Sequence, residues 1–337
     1  MLKRLWRRCH VGIRVWNWSC MARTRPQRWH CQAGLNWEIQ RLLTWWRWES
    51  RWGLNKMKHI PVLLNAVLNA LGDINGRTIV DCTFGAGGYS RAFLARGANV
   101  IAFDRDPNVV TDANAMRAEF GDRFTFIPRP FSNIADLEQD VDAIVFDLGI
   151  SSMQIDVAER GFSFRMDAPL DMRMESSGMT AADLIRQKSV ADLAEILRVY
   201  GDVKKANILA RAMKDSLPQT TFELRDLIHN PKDIAPVFQA LRIAVNDEMG
   251  ELERALVVVP DLLRVGGKCI CVTFHSLEDR IVKNKFREWT TVPGDPRMPT
   301  VANAPFELIK TALPDAQEVE NNLRARSAHM RGVIKLQ

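Results

Sequence analysis

The chain has little cysteine: 6 Cys in 337 residues and no C-x-x-C pair, which excludes a disulfide scaffold and the common zinc and redox spacings. No apolar run reaches the ~18 residues of a membrane-spanning helix. Internal repeats are absent, which excludes solenoids and fibrous arrays. Acidic residues are scarce in one place only. Residues 1–56 hold 12 Lys and Arg against Glu38 and Glu49, a net +10. The remaining 281 residues hold 34 basic and 38 acidic groups, a net −4. The formal +6 therefore says little about the body of the chain, although a basic balance invites a nucleic-acid reading. Tryptophan is distributed the same way: nine of ten lie before residue 53, and Trp289 stands alone beyond.

Residues 1–56 have no continuous apolar stretch of the kind a secretory signal needs. Cys9, Cys20 and Cys31 recur every 11 residues, without zinc spacing. The segment is expected to be disordered, or a translated upstream stretch with Met57 as the natural start. The alternatives are a targeting segment, or a single-stranded RNA contact through interleaved basic and aromatic side chains.

The rest is ordinary globular sequence, 47% hydrophobic and 26% charged over the whole chain, enough for a full core. A helix is predicted over Pro61–Leu71. Apolar runs predict strands at Thr78–Phe84, Asn99–Phe103, Phe124–Ile127, Asp142–Asp147 and Cys269–Phe274, with helices after the first and the second. Strands alternating with helices predict a parallel sheet covered on both faces. The alternation stops after the fourth strand. Residues 154–236 show helical stretches only, and one long helix is predicted from Val237 to about Leu263. Helix follows again over Leu277–Trp289. The span from Thr290 to about Asn322 has little pattern, and an edge strand is expected in the last 14 residues. Cys269 and Cys271 are assigned to opposite faces of their strand, hence to no shared metal.

Four strand ends carry residues with chemistry. Asp81-x-x-x-Gly85-x-Gly87-Gly88 sits at a strand-to-helix turn, where glycine lets a ligand approach the backbone and helix N–H groups point at it. Asp104 ends the next strand, where a carboxylate can accept from both hydroxyls of a ribose. A dinucleotide fingerprint needs a third glycine where this chain has Ser90, so the G-x-G-G form with Asp81 upstream favours S-adenosylmethionine. Asp147 ends the fourth strand and is followed by Leu148-Gly149-Ile150-Ser151-Ser152. In an open α/β sheet the crevice lies at those carboxyl ends. Phe274-His275-Ser276-Leu277-Glu278-Asp279-Arg280 follows the fifth strand. Adjacent His275 and Ser276 are poorly placed as base and nucleophile, and no G-x-S-x-G elbow exists. Ser276 reads instead as a helix cap with Asp279 three residues on.

Eight motifs stand in order: His59-Ile60-Pro61-Val62-Leu63-Leu64, Asp81-Cys82-Thr83-Phe84-Gly85-Ala86-Gly87-Gly88, Asp104-Arg105-Asp106-Pro107, Asp147-Leu148-Gly149-Ile150-Ser151-Ser152, Arg160-Gly161-Phe162-Ser163-Phe164, Pro169-Leu170-Asp171-Met172-Arg173-Met174, Phe238-Gln239-Ala240-Leu241-Arg242-Ile243 and the His275 segment. With them the chain resembles the ribosomal RNA small subunit methyltransferase H (MraW) family from about His59 to Arg331. The resemblance implies an α/β class I (Rossmann-like) methyltransferase fold, with residues 57–153 and 237–337 forming the catalytic domain. Residues 154–236 would be a helical insertion that recognises substrate. It implies S-adenosylmethionine-dependent N4-methylation of a cytidine in the decoding region of 16S rRNA, in the small ribosomal subunit of the bacterial cytoplasm. No metal and no membrane are expected, and homodimerisation is left open. By the resemblance, cofactor contacts fall on Gly87, Gly88, Tyr89, Asp104, Phe131, Asp147 and Gln154, beside Gly85 of the glycine turn. Asp147 is expected to accept from the amine, Ser151 or Ser152 to hold the base, and His275 to stand near the same crevice. Tyr89 replaces a usual His, and Leu323 a usual Pro. The competing readings are a ribosome-assembly factor that holds the cofactor without turnover, and a DNA amino-methyltransferase. The latter usually carries Asp/Asn-Pro-Pro-Tyr/Phe where this chain has Asp147-Leu148-Gly149-Ile150.

Overall fold

The computed structural model describes residues 61–291 and 304–337; the readings for residues 1–60 lie outside the described residues. Chain order runs α1 (Leu64–Leu71), β1 (Thr78–Asp81), α2 (Gly88–Ala95), β2 (Asn99–Phe103), α3 (Val110–Phe120), β3 (Phe124–Ile127), β4 (Val141–Asp147) and α4 (Ser152–Asp156). Five helices follow: α5 (Ala181–Gln187), α6 (Val190–Gly201), α7 (Ala206–Ser216), α8 (Thr221–Asp226) and α9 (Pro231–Asn246). The chain closes with α10 (Glu248–Leu262), β5 (Leu263–Thr273), α11 (Ser276–Thr290), β6 (Phe306–Ala312), α12 (Ala316–Asn321) and β7 (His329–Lys335).

The seven strands make one sheet in the order β3-β2-β1-β4-β5-β7-β6. The first five are mutually parallel, and β7 runs antiparallel to both its neighbours. Two-residue periodicity sorts the strand side chains onto two faces. Ile79, Val100, Ala102, Val145, Ile270 and Val272 pack with Val67 of α1, Phe93 of α2 and Met116 of α3. Val80, Ile101, Ile144, Phe146, Cys269 and Cys271 pack with Leu256 of α10 and Phe286 of α11. Both faces are covered, as near-continuous apolar strands require. Cys269 and Cys271 thus share a face, as a spacing of two demands, and the assignment to opposite faces is wrong. Among the described residues no group of three or more His, Cys, Asp or Glu could hold a metal, and no helix is long and apolar enough to cross a membrane.

The helices after β4 have a core of their own. Leu184, Leu193, Leu197, Met213, Leu224, Phe238 and Leu241 lie together in it, fully or nearly fully buried. The long helix expected from Val237 is two helices, α9 and α10. Asp247 breaks them in the left-handed region (φ 48°), a conformation Asp tolerates better than most residues. The carboxy-terminal strand is internal to the sheet, pairing on both sides, and the edge belongs to β6.

Candidate active site

β1 ends on Asp81, whose carboxylate is fully buried. It accepts from the Thr83 N–H at 3.2 Å and the Ser90 hydroxyl at 2.6 Å. Burial pushes its pKa up from 3.8 to about 6, against the lowering effect of these bonds, and the neighbouring Asp104 adds to the rise. The turn that follows has little room for side chains. Gly87 has φ 74°, and a Cβ there would lie 2.6 Å from Met116 Cε and 2.9 Å from the Phe84 ring. A Cβ on Gly88 would lie 2.4 Å from Pro61 Cγ. Both glycines are therefore required, and they open α2 with its first backbone N–H groups facing the carboxyl end of the sheet.

Tyr89 follows directly. Its ring is buried beside Phe93, and its hydroxyl donates to the Val62 carbonyl. The phenol is thus committed to the segment before α1, which leaves the Tyr89 backbone as the part able to meet a ligand.

Asp104, at the end of β2, accepts from the Gly85 N–H at 2.8 Å with one oxygen. Its other oxygen accepts from the Asp106 N–H, also at 2.8 Å. Burial raises its pKa over these lowering bonds. Asp106 is 3% exposed. It accepts from Arg160 Nη1 with both oxygens (3.1 and 2.9 Å) and from Gln154 Nε2 at 2.9 Å. Gln154 returns to the β4 loop, where its Oε1 accepts from the Ser151 N–H at 3.0 Å and its own N–H donates to Ser151 Oγ at 3.2 Å. Ser151 therefore caps α4 as an acceptor and keeps its hydroxyl proton to give. Ser152 opens that helix. The amide of Gln154 is held by Asp106 and Ser151, so it serves the loop first.

Asp147 ends β4. Its N–H donates to Thr83 Oγ1 at 2.7 Å, which joins the ends of β1 and β4. Its Oδ1 is sealed from solvent without a hydrogen-bond partner. Burial, with the charges of Asp81 and Glu278 nearby, holds its pKa well above the ordinary carboxylate value. Phe131 stands edge-on to the ring of Phe146, the residue before Asp147, with ring centroids 5.6 Å apart.

His275 caps α11, and here the expected cap is one residue out of register. The capping box is His275 with Glu278, not Ser276 with Asp279. Glu278 is 2% exposed. Its Oε2 accepts from the N–H groups of Phe274 (2.8 Å) and His275 (3.3 Å). His275 Nε2 lies 2.9 Å from Glu278 Oε1, off the line of a hydrogen bond. Asp279 is held by Arg331 of β7 in a bidentate pair at 2.7 and 2.9 Å.

The structure thus brings Gly85, Asp104, Asp147, Ser151 and Gln154 to one end of the sheet, with the glycine turn and His275 beside them. Two members escaped the sequence reading. Glu278 lies inside the His275 segment, where the preference for a serine cap points to Asp279 instead, and the Asp106–Arg160 pair joins motifs 54 residues apart. The crevice is rich in buried carboxylate, and an unpartnered oxygen such as Asp147 Oδ1 is costly unless a ligand answers it. A cationic ligand with hydroxyl donors fits these groups, Asp104 serving the hydroxyls and the raised carboxylates the positive charge.

A parallel β3-β2-β1-β4-β5 run closed by an antiparallel β7 and then β6, with a glycine turn after β1 and a carboxylate after β2, is the architecture of a class I methyltransferase. A sequence model of the MraW methylase family matches residues 56–336, and the chain belongs to that family. It is 44% identical over 303 residues to ribosomal RNA small subunit methyltransferase H of Rhizobium leguminosarum bv. trifolii, covering 84% of this chain and 89% of that protein. It is 43% identical over 299 residues to the protein of that name from Rhizobium meliloti, covering 83% and 88%. Among solved structures, an rRNA methylase from Streptococcus thermophilus covers 83% of this chain and 99% of its own at 14% identity, with a TM-score of 0.38, too loose a likeness to bear on function.

Proposed function

We propose that this protein transfers a methyl group from S-adenosylmethionine to the N4 amine of a cytidine in the decoding region of 16S rRNA, in the small ribosomal subunit. The observation that carries the reading is the buried, unpartnered Oδ1 of Asp147 at the end of β4. It is supported by the small-subunit methyltransferase names of the relatives. The N4 lone pair of cytosine is delocalised into its ring, so the amine must be aimed and relieved of a proton. When bound, S-adenosylmethionine supplies an electrophilic methyl group on a sulfonium cation.

The chain's own residues do the rest. Asp104 holds the ribose hydroxyls, and the backbone of Gly85, Gly87, Gly88 and Tyr89 receives the remainder of the cofactor beside Phe131. Asp147 accepts a hydrogen bond from N4, orients the amine and takes its proton. Its raised pKa makes it a better acceptor than an exposed carboxylate, and the cofactor's positive charge favours the ionised form it needs. The free hydroxyl proton of Ser151 donates to the base, and His275 closes the far side of the crevice. Residues 154–236 grip the RNA, and the reaction takes place in the cytoplasm.

Labelled S-adenosylmethionine incubated with small subunits, naked 16S rRNA and DNA, followed by nucleoside analysis, tests the reading. N4-methylcytidine from the ribosomal substrate is expected. Asp147→Asn is expected to lower turnover about 10²–10⁴-fold with the fold intact. Label in DNA alone, or near-normal turnover by Asp147→Asn, would overturn it.

A further inference from the structure

Two strand ends must cooperate in this reaction, one holding the cofactor and one the base, and a buried ion pair is among the contacts that connect them. On the cofactor side, the Gly85 N–H meets Asp104, and Asp104 takes the Asp106 N–H. On the base side, Gln154 holds the Ser151 N–H in the loop that starts at Asp147. The Asp106 carboxylate stands between, bonded at once to Gln154 and to Arg160. Arg160 then spends its second nitrogen on the carbonyls of Arg173 (2.9 Å) and Met174 (3.1 Å). One guanidinium therefore fastens three pieces of chain: the turn after β2, its own segment after α4, and the loop that leads into α5.

We infer that Asp106 and Arg160 are a positioning pair that couples the two halves of the site, so that filling the cofactor side orders the base side. The inference rests on the proposed methyl transfer. Neither residue touches the reacting atoms; both act through Gln154 and Ser151. The geometry requires arginine. A planar fork reaches two carboxylate oxygens and two carbonyls together, whereas an ammonium keeps the charge but cannot span that set. A carboxylate as buried as Asp106 also tolerates loss of its partner poorly. Coupling of this kind appears as a change in one site's order or affinity when the other is filled.

The test is hydrogen exchange on the full chain with and without S-adenosylhomocysteine, on the wild type, Arg160→Lys and the isosteric Asp106→Asn, with kcat and KM for small-subunit methylation measured alongside. In the wild type, ligand is expected to slow exchange on both sides, at residues 83–91 and 104–108 and also at 148–156 and 171–175. In both variants the slowing should persist on the first side and vanish on the second. Ligand affinity should change less than about 5-fold, the low end of ordinary coupling, while kcat falls more than about 20-fold, as it does when a reacting group is misplaced. A residue that merely supported the fold would weaken both sides together. Slowing on both sides in either folded variant, or a lysine variant with wild-type kcat, overturns the inference and leaves the proposed function standing. No binding of S-adenosylhomocysteine by the wild type overturns both.

Discussion

Asp81 offers a clean measurement of what this crevice costs the protein. Its carboxyl is raised from 3.8 to about 6, chiefly by burial. At about 1.4 kcal/mol per pKa unit, that is a penalty of about 3 kcal/mol for carrying the charge in the folded state. The folded state holds the proton over a pH range in which the unfolded chain has released it. Stability contributed by this group is therefore highest below about pH 4, falls as pH rises toward about 6, and stays low above. Integrating the two titrations places about 2 kcal/mol of the loss between about pH 4.5 and 7.5. Asp81→Asn removes the titration and keeps an oxygen for the Thr83 N–H, while the Ser90 hydroxyl can turn to accept from the new amide. The variant should thus gain on the wild type as pH rises. For a domain of this size the gain amounts to about 4–8 °C in Tm across that interval. Thermal melts of both proteins without ligand, at matched ionic strength, read the difference directly. Subtracting the two curves cancels the titrating groups that do not sense Asp81, while Asp147, whose pKa the Asp81 charge helps to raise, titrates lower in the variant and adds to its gain. Parallel curves across the interval, or a variant that loses ground as pH rises, would refute the buried, high-pKa assignment.

Three further outcomes are expected. Gly88→Ala forces a Cβ to 2.4 Å from Pro61 Cγ and should cost about 1–3 kcal/mol as an overpacked site, read from denaturant midpoints; a neutral substitution would show that Pro61 does not press on the glycine turn. Tyr89→Phe strips the Val62 carbonyl of its hydroxyl donor and should cost about 1–3 kcal/mol while leaving S-adenosylhomocysteine affinity within a few-fold by calorimetry; a large loss of affinity would mean that the phenol itself meets the ligand. Arg242 and Glu248 form a bidentate pair at 2.7 and 2.9 Å with side chains only 12% and 8% exposed. Arg242→Ala should therefore cost about 3–5 kcal/mol, and an apolar replacement of both partners should recover most of it; equal damage from single and double variants would contradict that.

Most of the sheet was legible because its strands are short apolar runs between turn residues. Asn99–Phe103 and Phe124–Ile127 were read with the bounds they have. Reading failed where burial leaves no periodic trace. In β6 only Phe306 is buried, and the rest of the strand is exposed or half-buried, so no alternation marks it. The α9–α10 break was invisible for the opposite reason. Both helices bury one face, with Val237, Leu241, Leu252 and Leu256 all covered, and helical spacing runs on through a single left-handed residue at Asp247. The glycine turn, Asp104 and Asp147 could be found because each stands at a strand end, where the parallel sheet directs any ligand. Asp106 and Arg160 could not, since nothing local records that two charges 54 residues apart will share one buried space.

The cap of α11 shows where local rules stop deciding. His275 with Glu278 and Ser276 with Asp279 are both three-residue pairs, and by capping preference alone serine is the better start. The choice is made from across the sheet. β7 places Arg331 against Asp279 and claims that carboxylate in a bidentate pair, so Asp279 cannot turn back to the helix start. Glu278, one residue earlier, is left to accept from Phe274 and His275. That shift of one position brings a buried carboxylate beside Asp147, where its charge contributes to the raised pKa. The strand that first read as a loose carboxy-terminal edge therefore selects which acid faces the crevice, and through it the proton affinity of the proposed acceptor.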